Sequence, residues 1–108
     1  MVGGWTEHKV EDKDNDIDSF IKKEIPELAD ATLVKVRTQV VSGTNYEYTY
    51  AKDNKKWRIT VWDQPWLKHR EMTGVARIVS SVNKNGDTVQ TTTSVEKETF
   101  AQAVSELF

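Results

Sequence analysis

The side chains able to carry covalent or metal chemistry are few in this sequence, and their spacing disposes of most of them. Glu11 to Asp18 gathers five acids into eight positions. Asp12, Asp14 and Asp16 have the first, third and fifth places of a calcium loop. Ile17 fills the sixth place, where the sharp turn needs glycine, and Lys23 the twelfth, where a bidentate glutamate belongs. Calcium is excluded, and the acids read instead as the start of a helix, capped by Asn15 or Asp16. His8 and His69 are far apart in the chain, and neither stands in a ligand or catalytic pattern. With no cysteine there is no thiolate nucleophile, thiolate metal site or disulfide. No nucleophile–base pair or carboxylate dyad can be placed, so neither an enzyme nor a cofactor is expected.

What remains is chemistry by contact. Gln39-Val40-Val41-Ser42-Gly43 runs out of one alternating stretch, Leu33 to Thr38, and Asn45 to Ala51 alternates again beyond it. Two period-2 runs joined through Ser-Gly predict a β-hairpin, because glycine supplies the positive φ of such a turn. Its tip carries two valines where turns are normally polar, which marks a surface meant to be covered. A second apolar tip, Pro65-Trp66, follows Asp63-Gln64, where proline ends the strand because it cannot donate to a ladder. A tryptophan there either folds back on the core or serves as an interface anchor. Near the start lies Gly3-Gly4, which alone reads as a loose terminus. His69, next to the second tip, reads as a rim residue.

Gln-x-Val-x-Gly alone would occur by chance in about two chains of this length in a hundred. A glycine near the N-terminus, Gln39-Val40-Val41-Ser42-Gly43 in a first hairpin and Pro65-Trp66 in a second form an ordered trio. The trio resembles the cystatins, reversible protein inhibitors of papain-like cysteine proteases. The resemblance implies that Gly3, Gly4, Gln39, Val40, Val41, Ser42, Gly43, Pro65 and Trp66 contact the protease. Gly4, with Gly3 as the alternative, would let the N-terminal segment enter the non-primed subsites, and the two loops would fill the primed side. Inhibition would be competitive and non-covalent. Ser42 stands where the family commonly has alanine. The second family site, against legumain, needs an asparagine that is absent between Leu28 and Gln39, so that activity is not carried over. Lacking cysteine, the chain looks like the disulfide-free stefin type. That implies a cytoplasmic protein, although a mature secreted chain without its leader would look the same.

These tips need a scaffold, and the rest of the chain outlines one. At 108 residues a single domain is expected, spanning 1–108, with 1–82 resembling the family and 83–108 an extension. Seventeen acids against 15 bases, a net charge of −2, exclude the basic face of a nucleic-acid binder. The most apolar runs are strand-length, so no membrane partner is expected. Ile17, Phe20, Ile21 and Leu28 form one helical stripe with Ile25 at its margin, and Pro26 ends or kinks the helix near Ile25. Val34, Val36 and Val40 should share one face of the first long strand; Tyr46, Tyr48 and Tyr50 one face of the next; Trp57, Ile59 and Val61 one face of a third. Further strands are read over Val75 to Val82 and Thr88 to Val95, around the turn Asn83 to Asp87. A closing helix with the stripe Phe100, Ala103, Val104 and Leu107 would be capped by Thr93 or Ser94.

The expected fold is α+β and cystatin-like. An antiparallel sheet of four to five strands wraps around an N-terminal helix, with an extra strand and a C-terminal helix added. The segment from the helix to Gln39 is about two turns shorter than the family's usual one. A monomer is expected, a domain-swapped dimer being the alternative state. Two other functions fit the same outline. One is a cystatin-fold binding module without inhibitory activity. The other is a carrier of small apolar ligands in which the curved sheet grips the C-terminal helix.

Overall fold

A computed structural model of the protein describes residues 4–52 and 55–95. Each alternating run is a strand: β1 Thr6–His8, β2 Thr32–Val41, β3 Gly43–Lys52, β4 Lys55–Gln64, β5 His69–Val82 and β6 Thr88–Val95. They form one sheet in sequence order, antiparallel throughout. The helix α1, Asn15–Glu24, lies between β1 and β2 in the chain. This is the expected α+β architecture, with the extra strand β6 in place and the short β1 added on the other edge. The closing helix and its stripe lie outside the described residues. Thr93 and Ser94 are not caps: β6 runs to Val95, and they pair there with Arg77 and Ala76.

Helix α1 packs its apolar stripe on the sheet. Ile17, Ile21 and Leu28 are fully buried and Ile25 nearly so, against Val36, Tyr48, Tyr50, Trp57, Ile59 and Val61. Burying each such aliphatic side chain is worth about 1.5–3 kcal/mol, so the stripe accounts for much of the helix–sheet attachment. The helix stops at Glu24 as Pro26 requires, and Pro26–Leu28 continues as a single 3-10 turn that still delivers Leu28 to the core. The N-cap is Asp14 rather than Asn15 or Asp16. Its Oδ1 accepts from the backbone N–H of Asp16 at 2.9 Å and of Ile17 at 3.2 Å. The reason is tertiary. The Asp14 N–H donates to the Tyr48 hydroxyl at 2.8 Å, which holds Asp14 outside the first helical turn.

Two further contacts fasten the helix to β3. The Tyr48 hydroxyl donates back to the Asp14 carbonyl at 3.3 Å, and the Tyr50 hydroxyl donates to Asp18 Oδ1 at 2.5 Å. The tyrosine row is therefore sheet packing, as its period suggests, with two hydroxyls used as clamps. Asp18, though charged, is buried because it also meets Lys22 Nζ at 3.3 Å.

Simple alternation fails at two places, both bulges. Leu33 pairs with Tyr50 and Lys35 with Thr49, which leaves Val34 as an extra residue. Leu33 then packs on the core beside Val36, while Val34 turns out and is 42% exposed. The expected face Val34–Val36–Val40 is corrected accordingly, since Val40 too is exposed, at the far end of its strand. In β5, Thr73 is the extra residue between Gly74, opposite Thr60, and Met72, opposite Val61. That shift lets Met72 and Val75, three positions apart, both face the core. β5 also begins earlier than expected, so His69 opens a strand and is not a loop residue.

Candidate functional site

Strand pairing places three chain segments at one end of the sheet. β2 turns into β3 at Ser42, with Val41 opposite Gly43. β4 turns into β5 through the 3-10 turn Pro65–Leu67, with Gln64 opposite His69. Because Thr44 pairs with Asp63, the two turns are neighbours. β1 runs antiparallel to β2, Thr6 against Thr38 and His8 against Val36, so the chain at Gly4 leaves the sheet toward Val40. Gly3 lies outside the described residues.

The tips are apolar and open. Val40 is 62% exposed, Trp66 63% and Leu67 62%. Ser42, Pro65 and Gly4 are exposed as well, and Val41 is half-buried. The indole at position 66 points outward and is not folded back on the core. Leu67, the last residue of the Pro65–Leu67 turn, belongs to the same projection and was not among the residues singled out from the sequence.

The two loops are joined by polar contacts that hold their spacing. The Trp62 indole Nε1 donates to the Ser42 carbonyl at 2.9 Å. The Gln64 amide Nε2 donates to the same carbonyl at 3.1 Å and to the Ser42 hydroxyl at 3.3 Å. Gly43, at φ +101°, lies so close to β4 that a Cβ there would stand 2.3 Å from the Asp63 carbonyl oxygen. Its role is thus close backbone approach as well as the turn. Gln39 sits one pair below Val40, accepting from Asn45 Nδ2 at 3.1 Å. It supports the hairpin from the side rather than forming its tip.

Beneath the tips the ionic groups are paired off. Asp63, nearly buried, accepts from Arg70 Nε at 3.1 Å. His69 Nε2 is 3.1 Å from Glu71 Oε2, its ring edge-on to Trp62 at 5.3 Å between centroids. The N-terminal segment is anchored where no order was expected. Trp5 is half-buried, with the Arg37 guanidinium 5.0 Å over its ring, an attraction of about 0.5–1 kcal/mol at an exposed site. Arg37 is itself oriented by two bonds to Glu47, Nε to Oε1 at 2.9 Å and Nη2 to Oε2 at 2.8 Å. Such pairings across neighbouring strands depend on register and carry no local sequence signal, apart from the outward position of Trp62 in its alternation.

Among the described residues no group of three or more His, Asp or Glu side chains could hold a metal ion. No described helix is long and apolar enough to cross a membrane. What the edge offers chemically is apolar contact surface: exposed Val40, Trp66 and Leu67 beside the turn at Ser42. In sequence, the chain is similar to cysteine proteinase inhibitor 5 of Arabidopsis thaliana. The two are 34% identical over 84 residues, an alignment covering 67% of this chain and 69% of the relative. No protein-family model matches the chain, and no solved structure matches it.

Proposed function

Because the chain belongs to the cystatin superfamily, we propose that it is a reversible, competitive, non-covalent inhibitor of papain-like cysteine proteases. The wedge enters the active-site cleft. Gly4 and the segment before it lie on the non-primed side; Val40 to Gly43 and Pro65-Trp66 lie on the primed side. The protease thiolate is covered, and no peptide bond of the inhibitor is offered to it. The observation that carries this reading is the clustering of exposed Val40, Trp66 and Leu67 at one end of the sheet, beside the turn at Ser42 and the exit of the N-terminal chain. Loops already fixed to each other through Trp62 and Gln64 lose little conformational freedom on docking, so a small contact area can bind tightly. The acting form is the monomer.

The carrier alternative has less support, because the sheet face that buries Tyr48, Tyr50 and Trp57 is filled by α1. A non-inhibitory binding module shares every structural feature of the wedge, so activity must decide. Papain titrated with the purified protein should lose activity competitively, regain it on dilution and return the inhibitor uncleaved. Full papain activity at micromolar inhibitor would overturn the proposal.

A further inference from the structure

Lys68 closes the Pro65–Leu67 turn with φ 48° and ψ 35°, and is the sole non-glycine residue at positive φ among those described. The left-handed conformation is penalised in any residue with a Cβ. The other two described positive-φ positions, Gly43 and Gly86, carry the residue that relieves it. Strain of this kind gathers where a side chain must be presented to a ligand. The Lys68 side chain is exposed, and its ammonium has no hydrogen-bond or ion-pair partner among the described residues. The acids across the neighbouring groove are engaged elsewhere, Asp14 in capping α1 and Asp63 with Arg70. His69 is held by Glu71. Among the described residues Lys68 is therefore the unneutralised charge of the second loop, immediately beside the exposed Trp66 and Leu67.

We infer that Lys68 sets target preference, favouring papain-like proteases that carry a carboxylate on the cleft rim facing the second loop. The inference rests on the docking mode proposed above. A cation on a loop whose backbone is already fixed has only its side chain left to order when it forms such a pair. Its effect should appear in association rate and salt dependence as well as in affinity.

The test compares wild type with Lys68→Gly, Lys68→Arg and Lys68→Glu against a panel of papain-like proteases that differ in carboxylates on that rim. Glycine relieves the backbone, so the Lys68→Gly protein should melt at or above the wild-type temperature. Against rim-acidic proteases it should nonetheless inhibit at least about fivefold more weakly, and Lys68→Glu about tenfold more weakly again. Lys68→Arg should restore inhibition, and the differences should shrink in about 0.5 M salt. Equal inhibition by wild type and Lys68→Gly across the whole panel would overturn the inference while leaving the docking mode standing. A wild-type protein that inhibits no member would remove both.

Discussion

The buried side-chain amide of Gln64 donates to both the carbonyl oxygen and the hydroxyl of Ser42, so the residue just before the second loop holds the tip of the first. Gln64 thus ties the two tips together, beside the Trp62 indole that donates to the same carbonyl. Gln64→Ala removes both bonds and should lower stability by about 1 kcal/mol, the net worth of a hydrogen bond or two. Inhibition of papain should weaken about tenfold, or about 1.4 kcal/mol, because the loops then need to be ordered on docking. Urea unfolding and inhibition constants on the same protein measure the two effects. Unchanged inhibition would show that the spacing of the loops does not depend on this amide.

Gly43 faces the same junction from its backbone side. Gly43→Ala places a Cβ against the Asp63 carbonyl and Gln64 Cγ, in a φ that alanine rarely adopts. A loss of about 1–3 kcal/mol of stability is expected from the backbone conformation alone. The clash is with main chain and adds to that. Denaturant midpoints for Gly43→Ala and for Gly86→Ala make the comparison. Gly86 also has positive φ, but a Cβ there meets nothing within 4 Å, so its variant should be the less damaged.

Gly4 and Trp66 separate contact from folding cleanly. A Cβ on Gly4 would meet nothing within 4 Å, and Trp66 is 63% exposed. Gly4→Glu and Trp66→Ala should therefore melt with the wild type. Each should weaken protease binding, Trp66→Ala by about 2 kcal/mol or more, as expected for a tryptophan at an interface. Wild-type inhibition constants for either variant would take that residue out of the contact.

How far the chain could be read in advance follows from the range of the forces involved. Period-2 faces such as Trp57, Ile59 and Val61, and turn residues such as Gly43 and Gly86, act within a few positions and were legible. The bulges at Val34 and Thr73 were not. Apolar pairs three apart, Leu33 with Val36 and Met72 with Val75, hint at them only once pairing with a neighbouring strand is known. The cap at Asp14 was misassigned because Tyr48, 34 residues away, decides it. The candidate site shows the same division. Val40, Ser42, Pro65 and Trp66 announce themselves by type. Trp62, Gln64 and Lys68 matter through register and backbone angle, which single residues do not display.

The clamps between β3 and α1 lead to the final prediction, on alkaline pH. Burial pushes the Tyr48 hydroxyl up to about 12, while its hydrogen bond with the Asp14 backbone works in the opposite sense. Burial also raises Tyr50, and its bond to Asp18 raises it further because a phenolate beside a carboxylate is repelled. Tyr46 is raised by burial as well. A folded state that keeps protons the unfolded chain releases from about pH 10 loses stability as pH rises. Stability should therefore be complete below about pH 10 and fall steadily through pH 12, as α1 loses its hold on the sheet. Phenolate absorbance should then rise together with the loss of far-ultraviolet dichroism, and denaturant midpoints should decline over the same interval. Tyrosines that ionise near pH 10 with the dichroism intact would show that the row does not clamp the helix.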